Sequence, residues 1–310
     1  MNTGAEAFPK IELDASTFRH KLDQLTDTIA YKVQREGYQR GLKPDSVADS
    51  IYYQLRLTGQ IYYLFFYLNA DKRRKEDCDW RAGFSAAILP LIRTMIGCLY
   101  NITAIPQDPP FYGRWFRLSG YTNFLEALDA DEKRYGGQPR WDWYVATYRG
   151  KARESIRIDG FNEAEARVSN YWLTLKRYID DTKQGFSARH QNFLKILTLG
   201  FWKEYSGISH GTFNGLLPIA LFLAPNDVPH EHRASVETAS GGMISLNIAR
   251  VAAILTCTLT EVQGSCHFDG ARINQSLHEI WNVLVVVLEI KGLYDERYSQ
   301  LMKEKGINAD

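Results

Sequence analysis

Arginine and histidine side chains in apolar or hydroxyl-rich helical segments are the first candidates for chemistry in this chain of 310 residues. Arg93 lies in the segment LPLIRTMIGCLYNITAI, and Leu89, Ile96 and Tyr100 stand at helical spacings from it. Arg93 is therefore expected to project from an apolar face, where a guanidinium is costly unless a partner compensates its charge. It either binds an anionic group such as a phosphate or ties two helices together. The residues leave both interpretations open.

A second candidate is the segment FWKEYSGISHGTFN, which is predicted to be the end of a helix followed by a polar turn. Ser206 and His210 are four positions apart, so they share a helix face and are able to hydrogen-bond. Tyr205 and Ser209 form a parallel pair beside them. A histidine at the C-terminus of a helix is also favoured by the helix dipole. Catalysis and a purely structural role are thus both open for His210.

Arg250 resembles Arg93 in its setting, since Leu246 and Ile254 stand at helical spacings from it, but Asn247 makes that face more polar. The predicted ligand-binding residues combine these segments. They are Tyr100, Asn101, Tyr205, Ser206, Ser209 and Arg250.

Charge and aromatic content limit the classes of partner. The chain has 37 basic and 36 acidic residues, so no overall field attracts nucleic acid or an anionic membrane, and such binding requires a local patch. Aromatic residues make up 13% of the chain, enough for a thick core or for a pocket that holds a flat ligand. One stretch interleaves rings and cations in a way that suits nucleic acid, although a solvated helix also explains it. Its residues are Trp141, Trp143, Tyr144, Tyr148, Arg149, Lys151, Arg153 and Arg157.

Cysteine usage and the N-terminal sequence indicate a cytoplasmic protein. The cysteines, Cys78, Cys98, Cys257 and Cys266, have no CxxC spacing and no disulfide-framework density, which is typical of a reducing compartment. The N-terminus lacks the pattern of a signal peptide. No zinc motif, phosphate loop or dinucleotide fingerprint occurs, so neither a metal nor a cofactor is predicted.

Residues 83–105 and 243–262 are long and apolar enough to raise the question of a membrane. Each contains an arginine near its centre, Arg93 or Arg250. An arginine in the middle of a bilayer costs roughly 2.5 to 3.5 kcal/mol even on the most lenient scale. We therefore expect two buried core helices and no membrane partner.

Helical periodicity dominates the whole chain, and no segment requires a strand, so the predicted fold is an all-α multi-helix bundle. No linker divides it clearly. We expect one helical domain over residues 1–310, with an N-terminal helical arm (1–44) and an ornamented middle segment (132–190). The predicted helices span 45–72, 84–105, 111–135, 141–157, 171–181, 192–209, 216–223, 231–262 and 271–290, before a polar tail at 294–305.

The pairing of LPLIRTMIGCLYNITAI with the later WKEYSGISHG resembles a group of bacterial all-α proteins of unknown function related to the HEPN superfamily. The resemblance covers residues 45–225 loosely and is specific only in these two segments. It implies a HEPN-like core with additional helices and a homodimer. Many members of that superfamily are metal-independent ribonucleases of bacterial defence and toxin systems.

The resemblance also implies a catalytic pattern, Arg-x4-6-His, in which the histidine is the acid/base and the arginine stabilises phosphate charge. Arg272 and His278 match this spacing. The chain departs from the pattern elsewhere, because no arginine occupies positions 203–205 ahead of His210 and Gly97 stands where relatives often carry glutamate.

These departures favour a HEPN-like binding module for RNA or a small ligand, in a bacterial defence or stress context. One alternative is a metal-independent endoribonuclease with His210, Arg93, His278 and Arg272 as its catalytic residues. The other is a protein–protein interaction scaffold without catalysis.

Overall fold

In the computed structural model, the described residues are 15–70, 78–168, 171–172, 188–212, 230–268 and 270–307. All regular structure in these ranges is helical and none of it is strand, which confirms the predicted all-α multi-helix bundle. The helix predicted at 216–223 and most of the one at 171–181 lie outside the described residues.

The α-helices are numbered here in chain order. They are α1 (Ala15–Glu36), α2 (Asp45–Ala70), α3 (Cys78–Ala104), α4 (Arg114–Tyr135), α5 (Pro139–Ile158), α6 (Glu163–Val168), α7 (Ala188–Ile196), α8 (Lys203–Ser209), α9 (His230–Cys266), α10 (Ala271–Leu284), α11 (Leu288–Leu293) and α12 (Ser299–Glu304). Helical turns of π type join α7 to α8 (Leu197–Trp202) and α11 to α12 (Tyr294–Tyr298), and another precedes α4 (Pro109–Gly113).

Helix α9 is the centre of the main core. Every residue from 249 to 264 is buried, because α1, α2, α3 and α10 all pack against it. Its threonines do not leave polar atoms unsatisfied, since Thr256, Thr258 and Thr260 each donate a hydrogen bond to the carbonyl one turn earlier. Among the described residues one helical stretch, Ser245–Cys266, has the length and hydropathy of a membrane span, and 83% of that stretch is buried inside the fold.

The predicted N-terminal arm contains a helix that contributes to this core. Helix α1 buries Leu22, Ile29 and Val33 completely, and it packs against α2 and α9. Residues 1–14 lie outside the described ranges.

Helices α4, α5 and α6 have a smaller core of their own, built from Leu125, Ala152, Ile156 and Ala166. Arg117 on α4 links this unit to α2, because its guanidinium donates hydrogen bonds to the Ser46 carbonyl (3.0 Å) as well as to Asp159 (2.5 Å). Much of the predicted middle segment is therefore a helical unit anchored on the main bundle.

The helix predicted at 271–290 is interrupted, and the interruption has a local cause. Helix α10 ends at Leu284, and α11 begins at Leu288 after Val287 adopts extended backbone. Consecutive β-branched valines at 285–287 favour extended over helical backbone. The break redirects the chain so that Glu289 faces α9.

Candidate functional site

Arg250 on α9 is held by carboxylates from two other helices. Its guanidinium donates to both oxygens of Glu204 on α8 (3.0 and 3.1 Å) and to both oxygens of Glu289 on α11 (3.0 and 3.1 Å). The Tyr205 hydroxyl accepts a further bond from Arg250 (3.0 Å) and donates to Asn247 Oδ1 (2.7 Å). The arginine is only 8% exposed.

This arrangement fully occupies the Arg250 guanidinium. Burial alone would lower the pKa of that group, but Tyr205, Glu204 and Glu289 outweigh the burial and raise the pKa above its ordinary value. Burial likewise raises the pKa of the Tyr205 phenol, so the hydroxyl stays protonated. Arg250 and Tyr205, both predicted to bind a ligand, are thus brought together in a network that ties α8, α9 and α11 to one another.

The predicted residues on α3 point to three separate places. The Arg93 guanidinium lies over the Trp202 ring, 5.3 Å from its centroid. The Tyr100 hydroxyl donates to the Leu194 carbonyl (2.9 Å), and Asn101 Oδ1 accepts from the Trp172 indole (2.8 Å).

Arg93 and His210 are well separated along the segment that α3 contacts. Because Arg93 meets Trp202 whereas Tyr100 meets Leu194, the two segments run antiparallel. His210 lies beyond the end of α8 and is exposed. With a rise of about 1.5 Å per residue, it lies about 12 Å along the helical axis from Trp202. The remaining predicted residues of this segment are Ser206, which is buried, and Ser209, whose hydroxyl donates to the Tyr205 carbonyl one turn earlier (2.8 Å).

The π-helical turn Leu197–Trp202 explains how one short segment meets both arginines. An inserted residue widens the helix locally, and such turns recur at functional sites. Here Phe201 lies beneath Arg250 (5.2 Å from guanidinium to ring centroid), whereas the adjacent Trp202 lies beneath Arg93.

An open groove of about 660 Å³ lies along the surface where α1 packs on α10. Three of its lining residues can carry positive charge, namely His20, Lys21 and Arg272. The remaining ones are Gln24, Leu25, Thr28, Ile273 and Ser276. The groove therefore combines an apolar floor with basic and hydroxyl-bearing walls.

Arg272 and His278 lie on different sides of α10. Arg272 and Ser276 line the groove, and Glu279, one turn further, forms an ion pair with Lys21 on the facing helix. His278 is one position before Glu279 and is therefore rotated about 100° away from that face. The histidine that shares the groove with Arg272 is instead His20, which is distant in the sequence.

Positive charge continues along the surface beyond this groove. Lys32, further along α1, lies over the Phe268 ring (5.9 Å). Next to Phe268, His267 lies near both Lys305 and Arg40. Burial, together with the charges of these two residues, lowers the pKa of His267. Two carboxylates lie along the same strip: Glu279 beside Lys21, and Glu36 beside Lys32 and Arg40. We call the surface defined by Lys21, Arg272, Lys32, Arg40 and Lys305 the basic strip.

A second buried ion pair lies in the core. Arg297, in the turn between α11 and α12, bonds to Glu261 on α9, with 2.8 Å between Nη2 and Oε2. Their side chains are 11% and 4% exposed. Burial, assisted by the charge of Arg297, lowers the pKa of the neighbouring His190 to about 3. This histidine is therefore neutral at physiological pH.

Sequence reasoning missed several residues of these networks. Glu204, Glu289 and Glu261 belong to helices other than those of their arginine partners, and His20 and Lys21 reach Arg272 only through the packing of α1 on α10. The described residues contain no group of three or more His, Cys, Asp or Glu side chains that could hold a metal ion.

A scan against protein-family models, a search of curated proteins and a search of solved structures each find no match to this chain. The HEPN resemblance consequently rests on its two sequence segments.

Proposed function

We propose that the protein is an RNA-binding module that holds the phosphate backbone of RNA in the groove between α1 and α10. The observation that carries this proposal is the convergence of His20, Lys21 and Arg272 on one open groove. Arginine binds phosphate oxygens through two parallel hydrogen bonds, and lysine supplies a mobile point charge. Gln24 and Ser276 add side-chain donors of the kind that contact phosphate and sugar.

The difference in pairing between the arginines favours this groove over the network around Arg250. Arg272 is exposed, and no carboxylate of the described residues forms an ion pair with it. Arg250, by contrast, is saturated by two carboxylates. Only an arginine whose donors are available can exchange water for phosphate without breaking the fold.

The length of the basic strip supports a polymer as the ligand. Lys21 and Lys32 are separated by about 16 Å of helix, and Arg40 and Lys305 lie further on. Among the described residues, the three lysines and two arginines of the basic strip form ion pairs with only two carboxylates, Glu279 and Glu36, so basic side chains are in excess. A single phosphate would contact only one or two cations of the basic strip, whereas the successive phosphates of an RNA strand can contact several of them.

The test is a salt titration of RNA binding. Each phosphate contact to a single strand contributes about 0.7 to the slope of log Kobs against log salt concentration. Binding of a fluorescent single-stranded RNA to the wild type and to the double variant Lys21→Ala/Arg272→Ala should therefore differ in slope by about 1.4, with weaker binding by the variant at every salt concentration. Fluorescence anisotropy from 50 to 300 mM KCl (about 0.8 of a decade, chosen to resolve the slopes) measures both quantities.

Arg189→Ala is the matched control, because Arg189 is an exposed arginine outside the groove and its loss should leave the slope unchanged. Equal slopes for wild type and double variant, or no binding of RNA by the wild type at the lowest salt, would overturn the proposal. Displacement of the RNA by an equimolar mononucleotide would instead identify a site for a small phosphorylated ligand.

Cleavage of the bound RNA is a second candidate, favoured by the shared position of His20 and Arg272 in the groove. The imidazole would take the proton of a ribose 2′-hydroxyl, whose oxygen attacks the adjacent phosphorus while the bond to the 5′-oxygen breaks. The leaving 5′-oxygen gains a proton from water, and the hydroxide that remains takes the proton back from the imidazolium. Arg272 stabilises the charge on the phosphorane oxygens. The products are a 2′,3′-cyclic phosphate and a 5′-hydroxyl.

Incubation of RNA with the protein in the presence of a chelator tests this candidate. The variants His20→Ala, His278→Ala and His210→Ala separate the histidines, and loss of the cyclic phosphate in only one of them identifies the acid/base. If the wild type leaves the RNA intact, cleavage is refuted and only the RNA-binding proposal remains.

A further inference from the structure

A ladder of aromatic rings runs along one side of the hairpin formed by α4 and α5. Tyr135 stacks on Trp141 (4.5 Å between centroids, 19° between planes), and Trp141 contacts Tyr144 edge to face (5.6 Å). Tyr144 then contacts Tyr148 (4.6 Å), which meets Phe124 of α4 (6.3 Å). Spacings of three and four residues along α5 place these rings on one helix face.

The ladder is not the core of this hairpin. Helix α5 buries a different set of residues, Val145, Ala152 and Ile156. The ladder rings remain partly or largely open to solvent, and their mutual contacts fasten the outer edges of the two helices.

Trp143 stands outside the ladder and has no such structural role. Trp143 is 67% exposed, and its side chain makes no ring contact or hydrogen bond with a described residue. Thr147 and Gly150 follow it along the same face of α5, and a Cβ added at Gly150 would meet nothing within 4 Å. Because Trp143 is 67% exposed, its indole has ring surface available to a second flat ring.

Cations of this surface divide into paired and available ones. Arg149 forms ion pairs with Asp129 and Glu132, and Arg153 forms one with Glu163. The charges of these two arginines are therefore paired within the protein. Arg140, one turn before Trp143, is exposed and forms no ion pair with a described residue.

A second available cation is Lys151, two turns after Trp143. It is exposed and lies over the Tyr148 ring at 5.1 Å from the centroid. Positive charge thus flanks the exposed indole on both sides.

We propose that Trp143 stacks an unpaired nucleobase of single-stranded RNA, while Arg140 and Lys151 hold the adjacent phosphates. This inference rests on the proposed RNA-binding function and assigns its substrate class, because a base inside a duplex presents no free face to an indole. Stacking on an aromatic side chain accepts any base and depends little on salt, whereas phosphate contacts depend strongly on it. Base stacking on Trp143 is therefore separable from the phosphate contacts of the groove, because only the phosphate contacts contribute to the salt slope.

The experiment compares a 12-residue oligo(A) RNA with an abasic ribose-phosphate strand of the same length, both end-labelled for anisotropy. The wild type is expected to bind oligo(A) roughly ten-fold more tightly than the abasic strand, since one stacked base contributes a factor of that order. Trp143→Ala should lose this preference with no change in salt slope. Trp143→Phe retains a ring and should restore most of the preference.

Leu288→Ala is the matched control, because Leu288 is a still more exposed apolar side chain (84%) and its loss should leave the preference intact. An equal preference in wild type and Trp143→Ala would overturn the inference while leaving RNA binding by the groove in place. Conversely, a preference that disappears in Trp143→Ala while the Lys21→Ala/Arg272→Ala double variant keeps its salt slope would refute the groove and support the stacking site. Absence of RNA binding by the wild type would refute both.

Discussion

Arg250 and Arg272 lie on neighbouring helices of the bundle and carry the same charge, yet their surroundings assign them opposite roles. Arg250 is 8% exposed and surrounded by Glu204, Glu289 and Tyr205. Arg272 is exposed at the edge of an open groove and shares it with two further basic residues. The comparison shows that the partners which packing supplies to an arginine, more than its own helix, decide whether it stabilises the fold or remains available to a ligand.

The largest expected effect is a difference between Arg250→Ala and Arg272→Ala in the loss of unfolding free energy. Arg250→Ala leaves two carboxylates facing each other without their cation, and breaking such a buried ion network costs about 3 kcal/mol of unfolding free energy. This value is at the low end of the usual range because both glutamates are partly exposed. Arg272→Ala should change the unfolding free energy by less than about 0.5 kcal/mol. Urea denaturation measures both, and equal losses in the two variants would refute the contrast.

A smaller effect concerns protons in the buried region. The pKa of His190 is about 3 in the folded protein, whereas an unfolded histidine titrates near 6.5. Between pH 6.5 and pH 3, His190 binds a proton in the unfolded chain but not in the folded protein. The stability contributed by neutral His190 is therefore complete above pH 6.5 and is lost by about 1.4 kcal/mol per pH unit as the pH falls towards 3.

Urea denaturation at pH 7, 6 and 5 should give a pH dependence that is shallower in His190→Gln than in the wild type by about that slope. Phe193→Leu is the control, because it perturbs a neighbouring buried residue that carries no titrating proton. It should lower the unfolding free energy equally at each pH. A wild-type slope that persists in His190→Gln would show that other groups cause it.

The smallest effect sharpens the description of the groove. Glu279→Gln removes the carboxylate that pairs with Lys21, and it should tighten RNA binding about three-fold at low salt because one repulsive charge is lost and one cation is freed. Both side chains are more than a third exposed, so the unfolding free energy should change by about 0.5 kcal/mol or less. Weaker RNA binding by this variant would contradict the placement of phosphate beside Lys21.

The sequence was sufficient to predict the helical class and most helix positions, because apolar periodicity in long segments is a strong signal. It also singled out Arg93 and Arg250 as arginines on apolar faces, whereas Arg272 was found only through the motif that the resemblance implies. The residues that surround these arginines could not be predicted from the sequence. Glu204 and Glu289 approach Arg250 from other helices, and His20 approaches Arg272 from the opposite end of the chain. Periodicity describes one helix at a time and carries no information on which helices become neighbours.

Local irregularities were a second source of error. Ideal spacing gives no signal for the π-helical turn at Leu197–Trp202, which sets the directions of Phe201 and Trp202, or for the break after Leu284 that turns Glu289 towards α9. The motif Arg272-x5-His278 illustrates the same point, because six residues of helix rotate the two side chains onto different sides of α10.

The late position of α9 in the sequence also affects folding during translation. Helices α1, α2 and α3 pack on one another and also against α9, yet the end of α9 is about 160 residues further along the chain than the end of α3. At 5 to 20 residues per second, translation of that stretch takes about 10 to 30 s. For that time the first three helices emerge from the ribosome without their central partner, so chaperones that shield apolar surface have a defined interval in which to act on this protein.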